Sequence, residues 1–99
     1  MREPMDVADI EEFCARRPRW SQDPARLVGS AQADSFAQAI RWVNRIAAAA
    51  EAIDHHPDID IRWNKVSFAL STHSAGGITP LDFELATAID VAASKIIGG

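Results

Sequence analysis

Residues 59–72 read Ile59-Asp60-Ile61-Arg62-Trp63-Asn64-Lys65-Val66-Ser67-Phe68-Ala69-Leu70-Ser71-Thr72 (IDIRWNKVSFALST), and the parity of their apolar positions changes partway along. Ile59, Ile61 and Trp63 occupy odd positions, whereas Val66, Phe68 and Leu70 occupy even ones. Successive side chains of a strand point to opposite faces, so one unbroken strand would send the two sets apart. A two-residue turn at Asn64-Lys65 removes the conflict. It sets Trp63 opposite Val66, Ile61 opposite Phe68 and Ile59 opposite Leu70, all on one face. The stretch therefore predicts an antiparallel hairpin with a single apolar face, which needs another layer to cover it.

Helical patterns on both sides supply that layer. Before the hairpin, Asp34 or Ser35 starts a long helix whose stripe is Phe36, Ala39, Ile40, Val43, Ala47, Ala50 and Ile53, with Arg41 and Arg45 on the opposite side. The four alanines at 47–50 favour helix and allow close packing. Pro57 stops the helix near His56, because the residue before proline avoids the helical region. After the hairpin, Gly76-Gly77 make a turn, Thr79 caps a third helix, Pro80 fills its first position and Asp82 stands three residues after the cap. Leu81, Leu85, Ala88, Ile89, Ala92 and Ile96 form its expected buried face, and Gly98-Gly99 its close.

The remaining N-terminal part divides in two. Residues 6–17 predict a first helix capped by Asp6, with Val7, Ile10, Phe13 and Cys14 on one face and Arg16-Arg17 at the end ahead of Pro18. RWSQDPARLVGSAQA (residues 19–33) predicts two short strands around Asp23-Pro24. The order α-β-β-α-β-β-α predicts an α+β fold over residues 1–99 as a single domain: a four-stranded antiparallel sheet with three helices packed on one face. Its edge strands are available for pairing between subunits, so a homodimer or homotetramer is expected.

Composition excludes several classes of function. The net charge of -4 gives no global attraction for nucleic acid or an anionic membrane. The longest apolar run, IAAAAEAI, is too short to span a bilayer and contains Glu51, and the acidic N-terminus does not resemble a secretory signal. The one cysteine, Cys14, excludes an internal disulfide framework and a Cys-rich zinc site. These features predict a cytoplasmic domain.

The chemistry lies in DHHPDI, residues 54–59, and in His73, the only other histidine. Extending the hairpin register outward sets His56 level with His73, so the three histidines are expected at one end of the sheet. Glu51, Asp54 and Asp82 fall near the same end. Histidine gives and takes protons near neutrality, and nearby carboxylates fix its tautomer or orientation. Three readings stay open on the residues alone. His55-His56 can be a solvated loop; it can serve proton transfer; or the three histidines can hold zinc, although adjacent histidines point apart and no HxH or HxxxH spacing occurs. Trp20, Trp42 and Trp63 read as core or interface residues, and Cys14 as packed. Asp82 has a sufficient role as a first-turn acid.

EAIDHHP, Trp63 followed by NKV, then LSTH and GGITPLD closely resemble the pterin-4a-carbinolamine dehydratase family, and the similarity runs along essentially the whole chain. The motif joins Glu51, four residues before His55-His56-Pro57, to the aromatic Trp63, then to His73 and Asp82 at fixed distances. The chain departs from many members at Ile59, where an aromatic residue is common. The resemblance implies dehydration of 4a-hydroxytetrahydropterin to quinonoid dihydropterin in pterin cofactor recycling, a hydro-lyase reaction using neither metal nor organic cofactor. It implies that His55 and His73 form the acid/base pair and that His56 binds the pterin and assists proton transfer. Glu51, Asp54, Pro57, Trp63 and Asp82 would bind or orient. The competing expectation is a non-catalytic dimerisation or assembly module that binds a protein partner around Arg41, Trp42 and Arg45 and does not need the histidines.

Overall fold

The computed structural model describes residues 3–97. Its elements run α1 (Val7–Arg16), β1 (Trp20–Gln22), β2 (Leu27–Gln32), α2 (Phe36–Ile53), β3 (Asp58–Arg62), β4 (Lys65–Leu70), a 3-10 turn (His73–Ala75) and α3 (Pro80–Ile96). The predicted α-β-β-α-β-β-α order is the observed one. The strands form one antiparallel sheet in the order β1-β2-β4-β3. Leu27, Val66, Phe68 and Leu70 point from the sheet into a core closed by Ile10 and Phe13 of α1, Trp42 and Ile46 of α2, and Leu85 and Ile89 of α3. The helices cover this one face. On the reverse face Ser21, Ser30 and Lys65 are exposed. No helix among the described residues is long and apolar enough to cross a membrane.

The second hairpin keeps its predicted face but not its predicted register. Arg62 pairs with Lys65, Ile61 with Val66 and Ile59 with Phe68, so the turn residues are Trp63 and Asn64. Each partner moves by two residues, which preserves the parity of Ile59, Ile61, Val66, Phe68 and Leu70. Asn64 decides the position. Its side-chain amide donates to the carbonyl of Ala33 at 2.8 Å, and its own carbonyl accepts the Ala33 N–H at 2.8 Å, so the buried asparagine ties the turn to the end of β2. Trp63 consequently leaves the core side; it is 71% exposed and takes a left-handed φ of 54°.

Helix rotation also differs from the stripe read from spacing. α2 buries Ala39, Trp42, Ile46 and Ala50, while Phe36 and Ala47 are exposed. The large indole sets the rotation: Trp42 is fully buried, meets Phe68 edge-on at 5.0 Å and donates its N–H to the carbonyl of Ile89 on α3. Trp42 is therefore not available to a protein partner, although Arg41 and Arg45 are exposed. α3 buries Asp82, Leu85, Ala86, Ile89, Ala92 and Ala93, and Leu81 and Ala88 lie at its margin. The expected close at Gly98-Gly99 lies outside the described residues.

Local signals set the helix ends. Ser35 accepts the Gln38 N–H at 3.1 Å as the α2 cap. Asp6 occupies the cap position of α1 without a side-chain bond. Trp20 lies across Gly29, where a Cβ would stand 2.9 Å from the indole and from the carbonyl of Arg19. The Trp20 N–H reaches both carboxylate oxygens of Asp90 at 3.1 Å, and Arg19 pairs with the same group, which ties β1 to α3.

Candidate active site

The helix that carries DHHP ends by a left-handed residue. Asp54 has φ 51° and ψ 47°, and the His55 N–H turns back to the carbonyl of Ala50 at 3.1 Å. Glycine is the usual residue at such a position, and a short acidic side chain is among the few others that tolerate it. The reversal sends the two neighbouring histidines in different directions. His55 folds under the helix end and is buried, whereas His56 stays exposed and meets Glu51 on the last turn of α2 at 2.5 Å.

The second wall comes from the end of β4. The strand's inward phase, Val66-Phe68-Leu70, continues into Thr72, which is buried although polar. The Thr72 N–H donates to the Gly77 carbonyl at 2.9 Å, and its carbonyl accepts the N–H groups of Ala75 and Gly76 at 3.0 Å. This closed loop sets His73 at the start of the 3-10 turn, with its side chain in solvent. Asp54, His55, His56, Ser71, Thr72, His73 and Ser74 together line a cleft of about 290 Å³. That volume is near the lower end for small-molecule sites.

Beneath the cleft lies a fully satisfied polar group. Asp82, wholly buried, places Oδ1 2.6 Å from Nε2 of His55. Its Oδ2 accepts the Thr72 hydroxyl at 2.8 Å and the Thr79 N–H at 2.9 Å. Among the described residues no buried side-chain nitrogen or oxygen lacks a hydrogen-bond partner. Nδ1 of His55 has no such partner and is therefore not a buried atom, and His55 is one of the residues that line the cleft. With Nε2–H directed at the carboxylate, Nδ1 carries the free lone pair of the neutral imidazole. The arrangement offers Nδ1 as a proton acceptor while Asp82 holds the ring from the other side.

The structure brings together most of the residues singled out by sequence. His55, His56, His73 and Asp54 line one cleft, with Glu51 and Asp82 behind two of the imidazoles. His56 does not stand level with His73 by strand register, because the sheet ends at Asp58 paired with Ala69; the loop carrying Thr72 closes the gap instead. Pro57 is half-buried behind the cleft and is not part of its lining. Trp63 stands at the other end of β3 and does not line this cleft. Five strand residues put it roughly 17 Å away. Sequence reasoning missed Ser71, Thr72 and Ser74. Thr72 had a legible signal: a hydroxyl occupies the next position of the apolar phase set by Val66, Phe68 and Leu70. Among the described residues no group of three or more His, Cys, Asp or Glu could hold a metal ion.

The profile of the family described as "Pterin 4 alpha carbinolamine dehydratase" matches residues 3–92. A Chloroflexus aurantiacus protein provisionally named pterin-4-alpha-carbinolamine dehydratase is 51% identical over 86 residues, covering 87% of this chain and 92% of its own. A Nocardia farcinica protein of the same provisional name is 53% identical over 73 residues, covering 74% and 77%. Among solved structures, a transcriptional coactivator/pterin dehydratase from Brucella melitensis superposes with a TM-score of 0.88 at 26% identity, covering 92% of this chain and 99% of that one. A pterin dehydratase-like RuBisCO assembly factor of the alpha-carboxysome shares the fold at a TM-score of 0.63 and 22% identity, covering 76% and 87%.

Proposed function

The chain belongs to the pterin 4 alpha carbinolamine dehydratase family, a family of hydro-lyases, and from that premise we propose that its cleft dehydrates a 4a-hydroxytetrahydropterin to the quinonoid dihydropterin through histidine acid/base catalysis. The observation that carries the reading is the buried His55–Asp82 pair, which supports an imidazole held in one tautomer with Nδ1 toward the cleft. In the reaction the proton on N5 goes to a base, the C4a–O bond breaks, and the hydroxyl takes a proton and departs as water. The N5–H electron pair closes the new C4a=N5 bond, so no oxidant or reductant is needed.

His55 and His73 form the acid/base pair in this proposal, and they lie on different walls of the cleft, as a reaction with one proton in and one proton out requires. His56, held from behind by Glu51, binds the pterin and assists proton transfer. Asp54 meets a polar edge of the ring, Pro57 stiffens the backbone that carries both histidines, and Asp82 orients His55. Residues 1–99 would work as one domain in pterin recycling, in the cytoplasm, as a homodimer or homotetramer and without a cofactor.

The test is turnover of enzymatically generated 4a-hydroxytetrahydropterin by the native protein and by His55→Ala and His73→Ala. Acceleration by the native protein that falls about 10²-fold or more in each folded variant is expected. A native protein no faster than the uncatalysed reaction overturns the reading and leaves the non-catalytic assembly module in its place. In that case partner binding would survive both substitutions.

A further inference from the structure

Asp82 can serve His55 only if its carboxylate is held with one oxygen turned to the imidazole, and the side chains that hold it form a chain with a fixed direction. Thr79 Oγ1 accepts the Leu81 N–H at 3.2 Å, as the cap of α3. A main-chain N–H cannot become an acceptor, so the Thr79 hydroxyl hydrogen is free to point elsewhere, and Thr72 Oγ1 lies 2.8 Å away. Thr72 already contributes its own hydrogen to Asp82 Oδ2 at 2.8 Å. The order is therefore Thr79 O–H donating to Thr72 and Thr72 O–H donating to Asp82 Oδ2, while the Nε2–H of His55 donates to Asp82 Oδ1 from the other side. The Thr79 N–H on Oδ2, at 2.9 Å, blocks reversal at the carboxylate. Thr72, Thr79 and Asp82 are all essentially buried, so water does not compete for these bonds.

We propose that Thr72 is a positioning residue for catalysis: its hydroxyl, directed by the α3 cap Thr79, pins Asp82 so that His55 keeps its hydrogen on Nε2 and presents Nδ1 to the cleft. Thr72 also stands one residue before His73, and its backbone closes the loop that carries that histidine. One residue thus links the orientation of His55, through its side chain, to the wall bearing His73, through its backbone. The inference rests on the proposed dehydratase reading for its kinetic consequence, but not for its structural one.

Two variants separate the hydroxyl from the packing of the residue. Thr72→Val keeps the shape and removes the donor, whereas Thr72→Ser keeps the donor and removes the methyl group. Side-chain ¹⁵N spectra of the substrate-free protein report the His55 tautomer, and dehydratase turnover reports kcat and KM. For Thr72→Val we expect loss of the single Nε2–H tautomer signature and about a tenfold fall in kcat with KM within twofold, in keeping with a group acting through another's orientation. Thr72→Ser should restore both. A Thr72→Val protein with native His55 spectra overturns the proposal, as does equal impairment of the two variants, which would assign the effect to packing. Absence of turnover in the native protein would defeat the dehydratase reading alone, because the spectra still test the positioning of His55.

Discussion

Replacing Asp82 by asparagine should invert the tautomer of His55, and the structure dictates the direction. Asparagine keeps the shape of the carboxylate but turns one acceptor into an NH2 donor. At the Oδ2 position stands the Thr79 N–H, 2.9 Å away, a main-chain donor that cannot change its role. The amide oxygen must therefore occupy that position, which leaves the NH2 at the Oδ1 position, 2.6 Å from Nε2 of His55. A donor facing Nε2 requires an unprotonated Nε2, so the hydrogen moves to Nδ1, which can no longer accept a proton. Loss of one general base is worth about 10²–10⁴ in rate, and 10² alone corresponds to about 2.7 kcal/mol of transition-state stabilisation. Stability falls as well, because charge-assisted bonds to a buried carboxylate contribute about 1–3 kcal/mol. For a chain of this length that loss lowers Tm by about 5–15 °C. The assay is kcat/KM for the 4a-hydroxytetrahydropterin, measured well below the variant's Tm, alongside the ¹⁵N spectrum of His55. A folded Asp82→Asn protein with kcat/KM within about threefold of native, or with Nε2 still protonated, refutes the reasoning.

Two further expectations concern the rest of the molecule. Asn64→Ala removes the donor to the buried end of β2 and should cost about 1–3 kcal/mol in denaturant unfolding. Because the turn lies at the opposite end of the hairpin from the cleft, kcat should be unchanged; a lost kcat with unchanged stability would contradict this placement. Burial pushes the Cys14 thiol above its ordinary value of 9.0, so alkylation of the folded protein at pH 8 should be slower than that of the urea-unfolded chain. The folded state holds that proton more tightly, so this contribution to stability is complete below pH 9.0 and is lost as pH rises through the folded value. Equal alkylation rates, or stability rising above that pH, would contradict the assignment.

How much of this was legible in the chain depends on the range of the interaction that fixes each feature. Thr79-Pro80 and Asp82 announced the start of α3 because a capping box is made within four residues. The change of parity between Trp63 and Val66 announced a hairpin, because alternation belongs to the strand itself and a shift of each partner by two residues leaves it intact. Charge, composition and the order of periodic segments were enough for the α+β class, and DHHP at a helix end was enough to name the histidines.

Other features needed the tertiary structure. The turn settled on Trp63-Asn64 rather than Asn64-Lys65 because Asn64 finds Ala33, 31 residues earlier. The rotation of α2 followed Trp42, whose hydrogen bond goes to Ile89, 47 residues on. The neighbours His55 and His56 are indistinguishable as letters, yet one is buried against Asp82, 27 residues away, and the other lies in solvent beside Glu51. Periods, caps and turn residues are properties of a few consecutive peptide units, so the sequence by itself determined the elements and their order. Register, helix rotation and the separate environments of the histidines depend on groups that meet only when the core closes, and the tertiary structure alone decided them.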